Sequence, residues 1–227
     1  AILIMFAIGL AVGAVNGFMV SYVGVPAMIA TLGTQYICYG LAKLLTQAVP
    51  IANMPDSISF LGRGYIFGGV FPVCVLLMII VYAIAQFVTS KTRVGRNLYA
   101  VGGSREAAFF SGINVKAIKL IVYTFSGFCC GIAALLLTSR LDSAVPTNAE
   151  GYEMNAIAAV VIGGTSMSGG EGSLIGTVIG TMLIGVIANG MNLLLIPTGP
   201  QRMVTGSIIV IAVIVDVLRK KANSKSK

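Results

Sequence analysis

The sequence predicts an all-α fold, a polytopic helical membrane protein. Only 10% of its 227 residues are charged, whereas 57% are hydrophobic. The mean hydropathy is +0.96. A soluble domain carries roughly 25% charged residues, so this chain lacks the polar surface that water requires. Long apolar runs separated by short polar stretches recur along it, which indicates several membrane-crossing helices.

The first half of the chain predicts three membrane spans. A crossing helix needs about 20 mainly apolar residues. No charge precedes Lys43, and this uncharged stretch is too long for one helix. Gly24 and Pro26 divide it, because proline removes a backbone donor and glycine breaks regular structure. With a third run after a polar connector, we expect spans at residues 1–23, 26–47 and 67–88.

Four more segments bring the predicted total to seven. One of them, residues 154–164, has only about eleven residues and ends in a glycine-rich stretch. It is too short to span comfortably, which favours a broken helix or a re-entrant segment. The four segments cover residues 118–138, 154–164, 174–195 and 203–218.

Basic residues predict the orientation. Residues 91–119 hold six of the fifteen Lys and Arg residues, with Glu106 as their one acid, and residues 219–227 form a second basic cluster. Basic loops are retained in the cytoplasm and can also touch anionic lipid. An even number of crossings must separate two cytoplasmic clusters, so we expect residues 154–164 to cross the membrane fully as a short, distorted helix.

The composition argues against several other functions. The chain has no His, which removes His-based general-base catalysis and most zinc sites. The basic residues have no aromatic-bearing soluble fold to present them, so nucleic-acid binding is not expected. The glycine-rich residues 163–173 lack the Lys-Ser/Thr pair of a phosphate-binding loop. We therefore expect no catalytic residue, metal or cofactor in this chain.

Cysteines and glycines have structural interpretations. Four cysteines lie in apolar runs without a CxxC pair and are interpreted as small buried hydrophobic residues. Several glycines recur at a spacing of four, a pattern that lets helices approach closely in lipid, within one subunit or between two. The cysteines are Cys38, Cys74, Cys129 and Cys130; the glycines are Gly9, Gly13 and Gly17, Gly127 and Gly131, and Gly172, Gly176 and Gly180.

Within the basic loop, residues 104–112 predict a short helix. Ser104 can cap its start, Glu106 lies in the first turn where the helix dipole favours an anion, and Gly112 can close its end. A helix of about two turns is marginal alone, so we expect it to dock on a partner; an ordinary solvated helix is the alternative. The candidate docking residues are Ser104, Arg105, Glu106, Ala107, Ala108, Phe109, Phe110, Ser111 and Gly112.

Several motifs in order resemble the permease subunit of ribose-type ABC sugar importers. The resemblance runs from the first span to Asp216. It rests on NLYAVGGSREAAFFSGINV, YTFSGFCCGIAALLLTSRLDSA, GYEMNAIAAVVIGGTSMSGGEGSLIGTVIG and NGMNLLLI.

The resemblance implies a fold of ten helices, of which seven are visible. The chain also begins inside an apolar run without a basic region before it, so we expect an N-terminally truncated protein. In this interpretation residues 1–218 are the transmembrane permease domain, residues 89–117 are a cytoplasmic coupling loop within it, and residues 219–227 are a basic cytoplasmic tail.

The resemblance also implies partners. Such permeases work in the bacterial inner membrane as a pair of subunits, with an ABC ATPase that carries ATP and Mg and a periplasmic or lipid-anchored sugar-binding protein. The helix matching residues 104–112 is the coupling helix that sits in the ATPase cleft. No enzyme activity is then expected of this chain, and membrane lipid is its remaining partner.

The substrate pathway is predicted from amide side chains. Neutral, hydroxyl-rich sugars need amides, hydroxyls and apolar faces rather than charges, and Gln35, Asn155, Asn189 and Asn192 lie in or near the apolar segments. Interhelical hydrogen bonds are the alternative role for each. Asn155 stands where the family commonly has Asp, and Ala188 replaces the first Asn of its usual Asn-Asn-Gly, so the expectation is no narrower than a ribose-like monosaccharide.

Two other classes of function stay open at the level of the sequence. A secondary transporter or channel for a small neutral solute could also contain half-helices around residues 163–166. A membrane enzyme is disfavoured, because the chain has neither His nor paired carboxylates within its apolar segments.

Overall fold

The computed structural model describes residues 2–66 and 69–225, and these are mostly helical. Predictions for residues 1, 67, 68, 226 and 227 lie outside the described residues. The α-helices are α1 (Ile2–Phe18), α2 (Ala27–Thr46), α3 (Asp56–Arg63), α4 (Val73–Lys91), α5 (Arg93–Gly103), α6 (Arg105–Phe110), α7 (Val115–Leu141), α8 (Tyr152–Ile162), α9 (Leu174–Leu193) and α10 (Thr198–Lys225). The strands are β1 (Ile51–Ala52), β2 (Tyr65–Ile66), β3 (Phe71–Pro72) and β4 (Ser143–Ala144).

All seven predicted segments form helices, which confirms the all-α membrane fold. Within the described residues, α2 has 20 residues but a more polar composition, and α8 has only 11. Seven crossings therefore stay a prediction. In the part of the chain that the structure describes, five helices are long and apolar enough to cross a membrane: Ile2–Val23, Val73–Lys91, Val115–Leu141, Leu174–Leu193 and Thr198–Leu218.

Several predicted boundaries were wrong for local reasons. The third span begins at Val73 rather than at residue 67, because β2 and β3 pair as an antiparallel hairpin before it. The fourth begins at Val115, where the Asn114 side chain accepts a hydrogen bond from the Ala117 N–H at 3.1 Å. The last helix continues to Lys225, so the predicted tail starts as a continuation of α10.

The basic segment at residues 91–119 is not the open loop that its glycines predict. Most of it is helical and belongs to α5, α6 and the start of α7. The first turn of α5 is capped by Thr92, which accepts from the Gly95 N–H at 3.3 Å. Gly95 lies so close to the Thr89 carbonyl that a side chain would collide with it. Here glycine permits a sharp turn between helices, and tertiary packing outweighs its low helix propensity.

The chain divides into two compact units. The first contains residues up to Val88 together with Ala108–Asn148, and the second contains Thr89–Ala107 together with the residues from Ala149 onward.

The first unit is centred on the crossing of α1 and α7. A Cβ on Gly9 would lie 2.5 Å from the Gly127 carbonyl oxygen, and one on Gly13 would lie 2.5 Å from that of Tyr123. These helices touch backbone to backbone, so packing within one subunit is confirmed for this glycine face. Beyond the crossing, α1 ends in a π-helical turn, Met19–Val23, closed by Gly24 at φ +84°.

The described part of the connector between α2 and α4 contains regular elements. Strand β1 pairs with β4, which follows α7. The fully buried Ser139 of α7 donates to the Ile58 carbonyl and accepts from the Gly62 N–H at 2.6 Å, both in α3. Short helix α3 is thereby fixed to the C-terminal end of α7.

Helix α8 is the core of the second unit. Ala158 and Ala159 are buried and cluster with Ile184 of α9, and Ile208 of α10 packs against this cluster. A Cβ on Gly163 would lie 2.5 Å from the Gly176 carbonyl, so α9 approaches α8 at backbone distance.

The expectation that the cysteines are buried was wrong. All four are free; Cys38, Cys74 and Cys129 are half-buried and Cys130 is exposed. They lie on α2, α4 and α7. The lipid around a membrane helix is itself apolar, so exposing a thiol on its outer face costs little free energy.

Candidate functional site

Helix α6 forms as predicted and is closed at both ends. The Ser104 hydroxyl accepts from the Ala107 N–H at 3.2 Å. At the other end Gly112, at φ +76°, donates to the Phe109 carbonyl and Ile113 donates to that of Ala108, both at 3.0 Å. This pair of bonds is a Schellman motif. Both caps were predicted from the sequence, and they allow so short a helix to persist.

The exposed docking surface of α6 contains fewer residues than predicted. Phe109 and Phe110 are 69% and 86% exposed, with ring centroids 6.0 Å apart in an edge-to-face arrangement. Ala108, however, is only 3% exposed and cannot form part of a docking knob. Arg105, Glu106, Ala107, Ser111 and Gly112 are exposed around the two rings. The candidate docking surface is therefore an aromatic pair with a polar rim, which we call the Phe pair (Phe109 and Phe110).

Within the second unit, α5 packs on the segment between α8 and α9, residues 163–173, which we call the glycine loop. The Tyr99 hydroxyl donates to the Gly172 carbonyl at 3.2 Å. A Cβ on Gly102 would lie 2.7 Å from the Gly170 nitrogen, and one on Gly169 would lie 2.7 Å from the Gly102 carbonyl oxygen. The two backbones are in direct contact.

The glycine loop is held by its own bonds. Ser166 N–H donates to the Glu171 carbonyl at 3.0 Å. Ser173 caps α9 by accepting from the Gly176 N–H at 3.2 Å. Asp216 of α10 accepts from the Met167 N–H at 3.4 Å and from the Ser166 hydroxyl at 3.5 Å. A largely apolar cavity of about 360 Å³ lies between α5 and this loop, lined by Leu98, Tyr99, Val160, Thr165 and Leu174 among others.

The four predicted pathway residues fall in different places. Gln35 is exposed on α2 in the first unit. Asn155 is half-buried on α8, and Asn189 is exposed on α9. Asn192, at the end of α9, accepts from the Gln201 side chain of α10 at 2.9 Å. The alternative role, an interhelical hydrogen bond, thus applies to Asn192.

Sequence reasoning missed two contributors to this site. Tyr99 gave no signal, because its partner is a backbone carbonyl 73 positions away. Asp216 did give one: it is the one acid in the apolar run at residues 203–218, and an ionisable group in such a run usually has a specific partner.

The fold and this site define the class as a multi-pass helical membrane protein with a short capped helix between two of its long helices. A family model described as a branched-chain amino acid transport system permease component matches residues 1–213. The chain belongs to this family of transport permeases.

The relatives agree with this assignment. The ribose import permease protein RbsC of Bacillus subtilis (strain 168) is 42% identical over 209 residues, which cover 91% of this chain and 64% of that protein. The D-allose permease AlsC of Escherichia coli K12 is 41% identical over 215 residues, 94% of this chain and 65% of its own length. The galactose/methyl galactoside permease MglC of the same strain is 36% identical over 223 residues, 96% and 66% respectively. No solved structure matches the chain.

These names are those of transport components rather than enzymes. They agree with the resemblance to sugar importer permeases and favour it over the secondary transporter or channel. The chain spans 64% of the Bacillus relative's length. The activity, substrate and partners of the whole protein are therefore proposals.

Proposed function

We propose that this chain is the membrane part of an ABC sugar importer permease, which forms the pathway for a ribose-like monosaccharide in the bacterial inner membrane. The observation that carries the proposal is α6, a helix capped at both ends that exposes the Phe pair, in a chain matched along residues 1–213 by a permease family. The relatives are named for ribose, allose and galactose.

The contacts of the second unit support the proposed orientation. Helix α5 carries Arg93 and Arg96, and it lies at the same end of the unit as the glycine loop and Asp216. Basic segments are retained in the cytoplasm. In the proposed orientation this end is cytoplasmic and α8 crosses from the outer connector to the glycine loop. Helices α9 and α10 then cross outward and back, so the proposed position of the C-terminus is inside.

The Phe pair is the proposed contact for an ABC ATPase. Two exposed aromatic rings on a rigid helix are suited to a hydrophobic groove with little loss of conformational entropy. ATP and Mg would be held by that partner, a sugar-binding protein would deliver substrate from outside, and a second permease copy would complete the pathway. Closure of the ATPases would move α6, and the membrane helices would alternate access.

Phe110→Ala is expected to weaken ATPase association by about 10- to 150-fold, because burying a Phe side chain stabilises a contact by about 1.5–3 kcal/mol. The measurement is co-purification of the ATPase with the full-length permease, together with ATP-dependent sugar uptake into vesicles. Phe87→Ala is the matched control, since Phe87 is also exposed but lies on the membrane helix α4. Unchanged association in Phe110→Ala would remove α6 as the docking site.

Uptake in ATP-free vesicles provides the test of the transport class. An ATP-driven importer takes up no sugar against its gradient without ATP, whereas a secondary transporter follows an ion gradient and a channel equilibrates the solute. Concentrative uptake without ATP, in a protein that isolates without any ATPase subunit, would therefore contradict the proposal.

Variants of two polar residues in the second unit distinguish a role in the sugar pathway from a role in helix packing. Asn155→Ala is expected to raise the KM for sugar uptake with little effect on stability. Asn192→Ala is expected to lower the unfolding temperature instead, because it removes the acceptor of the Gln201 amide. Uptake kinetics and thermal unfolding of both variants make the comparison, and a KM effect confined to Asn192 would reverse the assignment.

A further inference from the structure

Helix α5 directly precedes the candidate docking helix in the chain and packs on the glycine loop of the second unit. Along the chain it is joined to α6 through Ser104 alone, whose N–H still donates to the Ala100 carbonyl of α5 at 3.1 Å. A movement of α6 is therefore transmitted directly to α5, because a single hydrogen-bonded residue links the two helices. In space, α5 is grouped with the residues from Ala149 onward rather than with the bulk of α4 and α7.

The contact of α5 with the glycine loop resists displacement, because the backbone atoms of the two segments touch directly. Gly102 faces the Gly170 nitrogen and Gly169 faces the Gly102 carbonyl, each too close for an added methyl group. Gly169 and Gly170 have φ of +87° and +81°, a conformation that glycine adopts without strain. No flexible side chain lies at these contacts to absorb a displacement of α5.

The glycine loop in turn is fixed to the membrane helices. Thr165 N–H donates to the Val160 carbonyl of α8 at 3.1 Å, and Ser173 caps α9. Asp216 connects the loop to α10. Gly163 and Gly176 bring α8 and α9 into backbone contact beside the loop, so a displacement of the loop acts on both helices.

We propose that α5 transmits the movement of α6 to α8, α9 and α10 through the glycine loop, with Tyr99 and Gly102 as the positioning residues. The inference rests on the proposed function and adds to it the route by which the ATPase drives the pathway. Neither residue touches sugar or ATP; each acts by holding α5 on the loop. The apolar cavity beside the contact leaves α5 free to tilt once this hold is lost.

The test compares two neighbouring glycines in the full-length permease assembled with its ATPase and binding protein in vesicles. A Cβ on Gly102 would lie 2.7 Å from the Gly170 nitrogen, whereas one on Gly103 would make an ordinary contact at 3.9 Å from the Gly170 Cα. Gly102→Ala is expected to keep ATPase association and ATP hydrolysis but to lower the sugar transported per ATP hydrolysed by about three- to thirtyfold. Gly103→Ala should retain the original ratio.

Tyr99→Phe gives an independent measurement without added volume, since it removes only the hydroxyl bonded to the Gly172 carbonyl. It is expected to lower the same ratio by a smaller factor. A ratio unchanged in both Gly102→Ala and Tyr99→Phe, or transport and hydrolysis falling together, would overturn the proposal. Failure of the proposed function would be visible separately, as sugar uptake by the unmodified assembly that does not depend on ATP.

Discussion

Gly13→Ala is expected to lower the unfolding temperature of the protein and its yield in the membrane. The new methyl group would lie 2.5 Å from the Tyr123 carbonyl oxygen and 3.1 Å from the Gly127 Cα. Only backbone lies there, so α1 and α7 must separate. Overpacking of this kind costs about 1–3 kcal/mol, more than the roughly 0.5–1 kcal/mol that Ala gains over Gly in a helix. The measurement is circular dichroism during heating in detergent.

Gly33→Ala is the matched control. Gly33 lies in α2, and a Cβ there would meet nothing within 4 Å. Only the helix-propensity gain remains, so stability should stay the same or rise. Equal losses in the two variants would show that glycine matters here for general helix flexibility rather than for the crossing of α1 with α7.

The glycine spacing shows which parts of the helix packing could be predicted from the sequence. It predicted faces for close helix contact, since lipid offers no hydrophobic drive and close packing must replace it. It could not name the partners, because Gly9 meets Gly127 across more than a hundred positions. In α5 the same residue type misled: Gly95, Gly102 and Gly103 suggested a loop, while the absent side chains of Gly95 and Gly102 in fact permit close contacts of α5.

The candidate site likewise contains features that the sequence could predict and features that it could not. The caps of α6 use neighbours in the sequence, so Ser104 and Gly112 could be identified without coordinates. The burial of Ala108 could not, because it depends on the surrounding fold rather than on the pattern of α6. Tyr99 belongs to the same group, since a backbone carbonyl carries no residue type that a sequence pattern could recognise.

The interaction of α3 with the end of α7 leads to the other large expected effect. A buried hydroxyl, an ion pair and further polar bonds join them, among them Arg63 Nε donating to the Arg140 carbonyl at 3.1 Å. Ser139 is 0% exposed and bonds both the Ile58 carbonyl and the Gly62 N–H. Arg63 and Asp142 form an ion pair at 3.5 Å with side chains 53% and 35% exposed. A surface pair of this type contributes about 0–1 kcal/mol, whereas leaving buried backbone groups unpaired costs about 1–3 kcal/mol.

Ser139→Ala is therefore expected to release α3, while Arg63→Gln has a much smaller effect. Amide hydrogen exchange in residues 56–63 should accelerate by about 5- to 150-fold in Ser139→Ala, the factor that corresponds to that loss of stability. Thr138→Ala is the control next to it, because the Thr138 hydroxyl bonds only carbonyls of its own helix, Ala134 at 2.8 Å and Leu135 at 3.1 Å. Faster exchange in Arg63→Gln than in Ser139→Ala would mean that the contacts of Arg63 with Asp142 and with the Arg140 carbonyl, not the buried hydroxyl, hold α3 on α7.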